Sequence, residues 1–202
     1  TPKPSSAASD VYKRQANRLI KDAGNLAEFL RHKRVLAKYS LSEPEEKIIN
    51  TLDVTGSTAL VKLYDKITNA FEYIITINGK KKKMTREQIS VLVRSTNPNL
   101  RKTAYQTLLG KFHENKGVLG EIYQNLVLNW KDEGIEIRKY SSPISIRNIG
   151  NDVDDKTIDA LLDVCKKNSS VFYEFFGFKA KSLGLKKLRR YDLYAPSTKK
   201  FK

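Results

Sequence analysis

Several residue types that carry chemistry are scarce in this chain. There is one cysteine, Cys165, so no internal disulfide framework and no Cys-rich zinc module can form. There are two histidines, His32 and His113, too few for a histidine-built metal site within the chain. No apolar run reaches the length of a membrane span, and the chain does not open on a charged-then-apolar signal sequence. No internal repeat and no long low-complexity linker is visible. Acidic residues are also short, 22 against 38 Lys and Arg, for a net charge of +16. Such a balance suits a nucleic acid or another anionic partner, or a protein whose acidic portion lies elsewhere. A soluble, cytoplasmic protein of a reducing compartment is the expectation.

What is present is mostly helical signal. Residues 1–15 are set aside first. Ser5 to Gln15, SSAASDVYKRQ, is the translation of a nucleotide string that resembles a transposase adapter from sequencing libraries. Removing 1–15 takes out Lys3, Lys13, Arg14 and Asp10, a net +2 off +16, so +14 remains. The expectation is a fragment whose natural start is missing.

From Ala16 to about Ser40, Leu19, Ala23, Leu26 and Leu30 recur at helical spacing, with Gly24 positioned to split the run. Ser42-Glu43-Pro44-Glu45 predicts a capped helix start carrying Ile48, Ile49 and Leu52 and ending before Gly56. Ser57 opens another helix. At Phe71 the period changes to two: Phe71, Tyr73, Ile75 and Ile77 alternate, and Asn78-Gly79 predicts a type I′ hairpin turn. The return strand is Lys80 to Lys83, whose charges suit an exposed edge that must not pair with other chains. Thr85 to Gln88 is a second capping box. Asn97-Pro98-Asn99 opens the longest helical region, to about Tyr140, broken at Asn115-Lys116-Gly117 and stopped by Ser141-Ser142-Pro143. A short element around Ile144 to Ile149 follows, and Asp154 or Asp155 caps a further helix. A last helix groups Phe172, Phe175, Phe176, Ala180 and Leu183 and closes at Leu183-Gly184. Four cations (Lys186, Lys187, Arg189 and Arg190) then lead into a strand-like Tyr191-Asp192-Leu193-Tyr194 that ends at Pro196. The fold class is mainly α: a multi-helix array of about eight helices with one small β-hairpin.

Candidate chemistry is thin. His113-Glu114-Asn115-Lys116-Gly117 begins like H-E-x-x-H, where histidines four apart share a helix face with the glutamate between them. Its fifth position is glycine, so the second ligand is absent and His113 reads as a surface or helix-end residue. His32, amid Arg31, Lys33 and Arg34, reads as solvated. Cys165, beside Leu161 and Leu162, reads as a buried structural thiol with no histidine to activate it. The cluster Phe172, Tyr173, Phe175, Phe176 and Phe178 could stack on bases, but its helical spacing favours core. No phosphate loop, catalytic triad or acid–base pair can be assembled, so no catalytic, cofactor-binding or metal-binding residue is assigned.

In order along the chain, LSEPEEKII (41–49), STALVKLYD (57–65) and the hairpin after it resemble the N-terminal domain of the oligoendopeptidase F family. NPNLRKTAYQ (97–106), RKYSSPISIRNI (138–149), VDDKTIDALL (153–162) and LGLKKLRRYDLYAP (183–196) resemble the start of that family's catalytic domain. The resemblance covers Ala16 to Pro196 and divides the chain into an adapter-like 1–15, an N-terminal domain at 16–95 and the start of the catalytic domain at 96–202. It implies part of a larger, mostly helical zinc metalloendopeptidase of the thimet-oligopeptidase kind, acting on oligopeptides in a deep cleft. It also implies zinc bound by H-E-x-x-H and a downstream glutamate in the full-length parent, all beyond Lys202. The fragment would then hold no zinc and be inactive. A basic helical module that binds nucleic acid is the alternative, disfavoured because the cations are spread rather than gathered into a known motif.

Overall fold

The computed structural model describes residues 15–196, so the adapter-like stretch lies outside the described residues except for Gln15. The chain is mainly helical, as its periodicity predicts. Helix α1 (15–22) stops at Gly24, whose φ of +56° glycine adopts without the steric cost most other residues meet, and a 3₁₀ turn at Gly24–Leu26 leads into α2 (Ala27–Leu36). Helix α3 (Glu43–Asp53) begins as its sequence dictates: the Glu45 carboxylate accepts the Ser42 N–H at 2.9 Å and the Ser42 hydroxyl. These bonds hold the Glu45 carboxyl below its ordinary pKa. Helix α4 (Ser57–Asn69) follows, with the Ser57 and Thr58 hydroxyls donating to Asp53 and depressing its pKa.

The hairpin forms where the period changes. Strands β1 (Tyr73–Ile77) and β2 (Lys80–Met84) pair antiparallel, Tyr73 opposite Met84 and Ile77 opposite Lys80. Asn78 and Gly79 make the turn at φ of 52° and 77°. Tyr73 and Ile75 are buried and all four lysines are exposed, so β2 is a charged outer edge. Helix α5 (Arg86–Leu92) carries the full capping box of Thr85 and Gln88. Helix α6 (Pro98–Glu114) is capped by the Asn97 side chain, which accepts the N–H groups of Asn99 and Leu100. Helix α7 (Lys116–Lys131) runs into a π-turn at Asp132–Ile137 that the periodicity did not announce. Then come α8 (Pro143–Gly150), capped by Ser142, α9 (Asp155–Lys167), and α10 (Ser169–Ser182). At the start of α9 the Asp154 carboxylate accepts the Thr157 N–H, which settles which aspartate caps.

Two compact units result, neither continuous in sequence. One takes in the residues up to Ile49 with Trp130–Asp159, the other Asn50–Asn129 with the residues from Ala160 onward. The second has the apolar core: Phe71, Tyr73, Ile75, Ile89, Val93 and Ala104, where one face of the hairpin meets α5 and α6. Phe71 packs edge-on against Tyr73 and Phe112 at centroid distances of 6.4 and 5.4 Å.

The first unit is held by polar contacts. Arg138, after the π-turn, grips Glu46 on α3 with two parallel bonds of 2.7 and 2.9 Å and bonds Glu133 at 2.9 Å. Tyr140 stacks flat on Tyr39 with ring centroids 3.8 Å apart. Buried Ser145 and Asn148 both donate to Asp155, whose pKa is lowered by those two bonds. The Arg138 guanidinium, helped by the Leu41 N–H, pushes the Glu46 pKa down to about 2. A depressed carboxylate stabilises the fold above its ordinary value of 4.5, and that contribution is lost as pH falls from there toward 2. Glu46→Gln is therefore expected to lower stability at neutral pH by about 1–3 kcal/mol and to flatten the acid limb of the stability curve. Chemical denaturation from pH 7 to pH 2 reads both, and an unchanged acid limb would contradict the assignment.

Candidate functional site

The stretch after α10 is built as a fixed loop. Gly184, at φ of +68°, ends the helix and lets the Leu185 N–H return to the Ala180 carbonyl at 2.9 Å. At the loop's other end the strand-like reading of 191–194 is corrected, because Arg190–Asp192 is a 3₁₀ turn. The cause is Asp192. One of its oxygens accepts the Arg189 N–H at 3.1 Å, drawing the backbone into a turn. The other takes Arg101 Nη2 at 2.7 Å, with both side chains buried. Arg101 also donates to the carbonyls of Ser95 and Thr96, so one guanidinium ties the loop before α6 to the turn at 190–192.

Around that pin, Tyr191 meets Tyr105 at 6.3 Å and Lys179 donates to the Leu193 carbonyl. Arg94 and Arg190 lie over the Tyr194 ring at 5.6 and 6.0 Å. Between the loop and α10 is a hollow of about 510 Å³ with Phe176, Ala180, Leu188 and Leu193 on its apolar side and Lys186, Lys187, Arg189 and Arg190 around it. Arg101 was not singled out in the sequence, and no local signal could have done so with its partner 91 residues away.

The other sequence candidates fall elsewhere. His113 lies exposed in the last turn of α6, as expected. His32 is corrected: its side chain is only 17% exposed, and its Nδ1 lies 2.9 Å from the Asp152 carboxylate, which the turn after α8 presents at φ of 57°. Cys165 is exposed, not a buried thiol. The aromatic cluster is corrected too: Phe172, Tyr173, Phe175 and Phe178 are more than half exposed, along with Leu161 and Leu162 on α9. Helical spacing produced the apolar face, but among the described residues nothing packs over it. A second cationic hollow, of about 810 Å³, lies between α1 and α2 with Arg18, Lys21, Arg31, Arg34 and Lys38 in its lining. No helix among the described residues is long and apolar enough to cross a membrane.

Comparison with known proteins points to the same family that the motifs resemble. The family described as Oligopeptidase F matches residues 12–73. An oligoendopeptidase F homolog of Lactococcus lactis subsp. lactis (strain IL1403) is 23% identical over 169 residues, 81% of this chain and 28% of the relative. Oligopeptidase PepF of Bacillus subtilis (strain 168) is 24% identical over 164 residues, 79% of this chain and 24% of the relative. The crystal structure of oligoendopeptidase-F from Enterococcus faecium superposes with a TM-score of 0.75 at 19% identity, covering 98% of this chain and 38% of that one. The fold is thus part of the helical fold of an oligoendopeptidase. The chain is similar to oligoendopeptidase F proteins along most of its length, and residues 12–73 carry the family match itself. It spans about a quarter of the length of the curated relatives it matches.

Proposed function

We propose that this chain is part of a zinc metalloendopeptidase that hydrolyses oligopeptides, and that it contributes scaffold and one wall of the substrate cleft rather than the reacting groups. The likeness to an oligoendopeptidase over 98% of the chain carries this reading. Among the described residues, no group of three or more His, Cys, Asp or Glu is placed to hold a metal. The residues present therefore do not fit the zinc that the family implies, and none of them is given a part in metal chemistry. The full-length parent would supply the metal ligands and the general base.

The 202-residue chain is expected to purify without stoichiometric zinc and to leave internally quenched peptides uncut. The full-length protein is expected to cut them and to stop when a chelator is added. Metal analysis and a fluorogenic peptide assay read both. Chelator-sensitive cleavage by the 202-residue chain would overturn its assignment as scaffold. A full-length protein inert toward every peptide would overturn the peptidase reading itself.

A further inference from the structure

We propose that the hollow between α10 and the loop after it is a docking site for an oligopeptide segment bearing a carboxylate beside a large apolar side chain. Three observations converge on this chemistry. The first is uncompensated charge. Between Glu174 and Asp192 the sequence places six cations and no carboxylate. The Asp192 carboxylate is turned inward, occupied by Arg101 and the Arg189 N–H. Among the described residues, Lys186, Lys187 and Arg189 form no side-chain ion pair, so they meet an incoming anion without first giving up a partner.

The second observation is the apolar side. Phe176, Leu188 and Leu193 line the hollow, and Phe176 is still 39% exposed. A phosphate backbone has no use for such a floor, whereas a peptide's leucine or phenylalanine fills it. The third is rigidity. The left-handed Gly184, the Leu185-to-Ala180 bond and the buried Arg101–Asp192 pair fix both ends of the loop. The cations are thus displayed from a set backbone, which reduces the ordering cost of binding.

Only the choice of a peptide as ligand rests on the peptidase reading. The test uses binding to the 202-residue chain and no turnover, so its failure would leave that reading intact. The probe is an octapeptide with a neutral dye that ends in Glu-Phe with a free carboxylate, measured by fluorescence anisotropy. It is expected to bind about tenfold or more tighter than the matching peptide ending in Gln-Phe-amide. The triple variant Lys186→Gln, Lys187→Gln, Arg189→Gln is expected to lose that preference with an unchanged melting curve, since all three side chains are exposed. Lys186→Arg with Lys187→Arg is expected to retain it, and Phe176→Ser to weaken both peptides alike. Equal binding of the two peptides would overturn the proposal. So would displacement of the acidic peptide by a single-stranded oligonucleotide at the same charge concentration, which would mark a general polyanion surface.

Discussion

Asp192→Ala is expected to destabilise the second unit by about 3–5 kcal/mol, because it leaves the Arg101 guanidinium buried without its counter-charge. The Arg101 side chain is 2% exposed and that of Asp192 4% exposed, so water cannot replace the lost partner without local opening. The carbonyls of Ser95 and Thr96 solvate the guanidinium but do not neutralise it. Removing the charge from both sides tells a different story. Arg101→Met combined with Asp192→Leu is expected to be less destabilised than Asp192→Ala alone, since desolvation of two ions is relieved together. Urea titration of the two variants gives the comparison, and amide hydrogen exchange shows whether Ser95–Arg101 and 189–195 open together. A loss under about 0.5 kcal/mol for Asp192→Ala would show that the pair is not buried in solution.

The second large effect is expected at Ile89, on α5 at the centre of the hairpin core and fully buried. Ile89→Ala removes three carbons where Tyr73 and Ile75 from β1 and Ala104 from α6 converge, and α5 is held at its start by the Thr85–Gln88 box. A site fixed in this way collapses poorly around a void, so about 2–5 kcal/mol is expected, read as a lower urea midpoint with an unchanged slope. Val91 on the same helix is 70% exposed, and Val91→Ala is the matched control, expected within about 0.5 kcal/mol of the parent. Equal losses at both positions would mean that the helix, not the cavity, sets the effect.

The features legible in the sequence are those whose cause lies within a few residues. Ser42 to Glu45, Thr85 to Gln88, Asn97 with Pro98, and Asn78-Gly79 each close their own hydrogen bonds locally, and each marks an element boundary in the structure. Gly24 and Gly184 end helices for the same local reason, a backbone angle that other residues resist. Contacts made across the chain were not legible. Asp192 meets Arg101 and His32 lies beside Asp152, and neither partner can be read from neighbouring letters. The aromatic face of α10 shows a third limit. Spacing reports which side of a helix is apolar, but burial depends on another element lying over that side, and periodicity holds no information about it. The candidate site was half legible: its cations stood out in the sequence, while the pin that orients them did not.

The Arg101–Asp192 pair also sets an order of events during synthesis. Helix α6 leaves the ribosome with its arginine long before the aspartate 91 residues later has been added. At elongation rates of about 5–20 residues per second, adding those 91 residues takes roughly 5–18 s, far longer than a helix or hairpin needs to form. Through that time the hairpin and α5 can assemble against α6, but Arg101 has no counter-charge and must stay hydrated. The second unit therefore begins folding early and closes late. Its last step waits for a residue near the end of the described chain, and a nascent chain stopped before Asp192 should be the form most open to proteases.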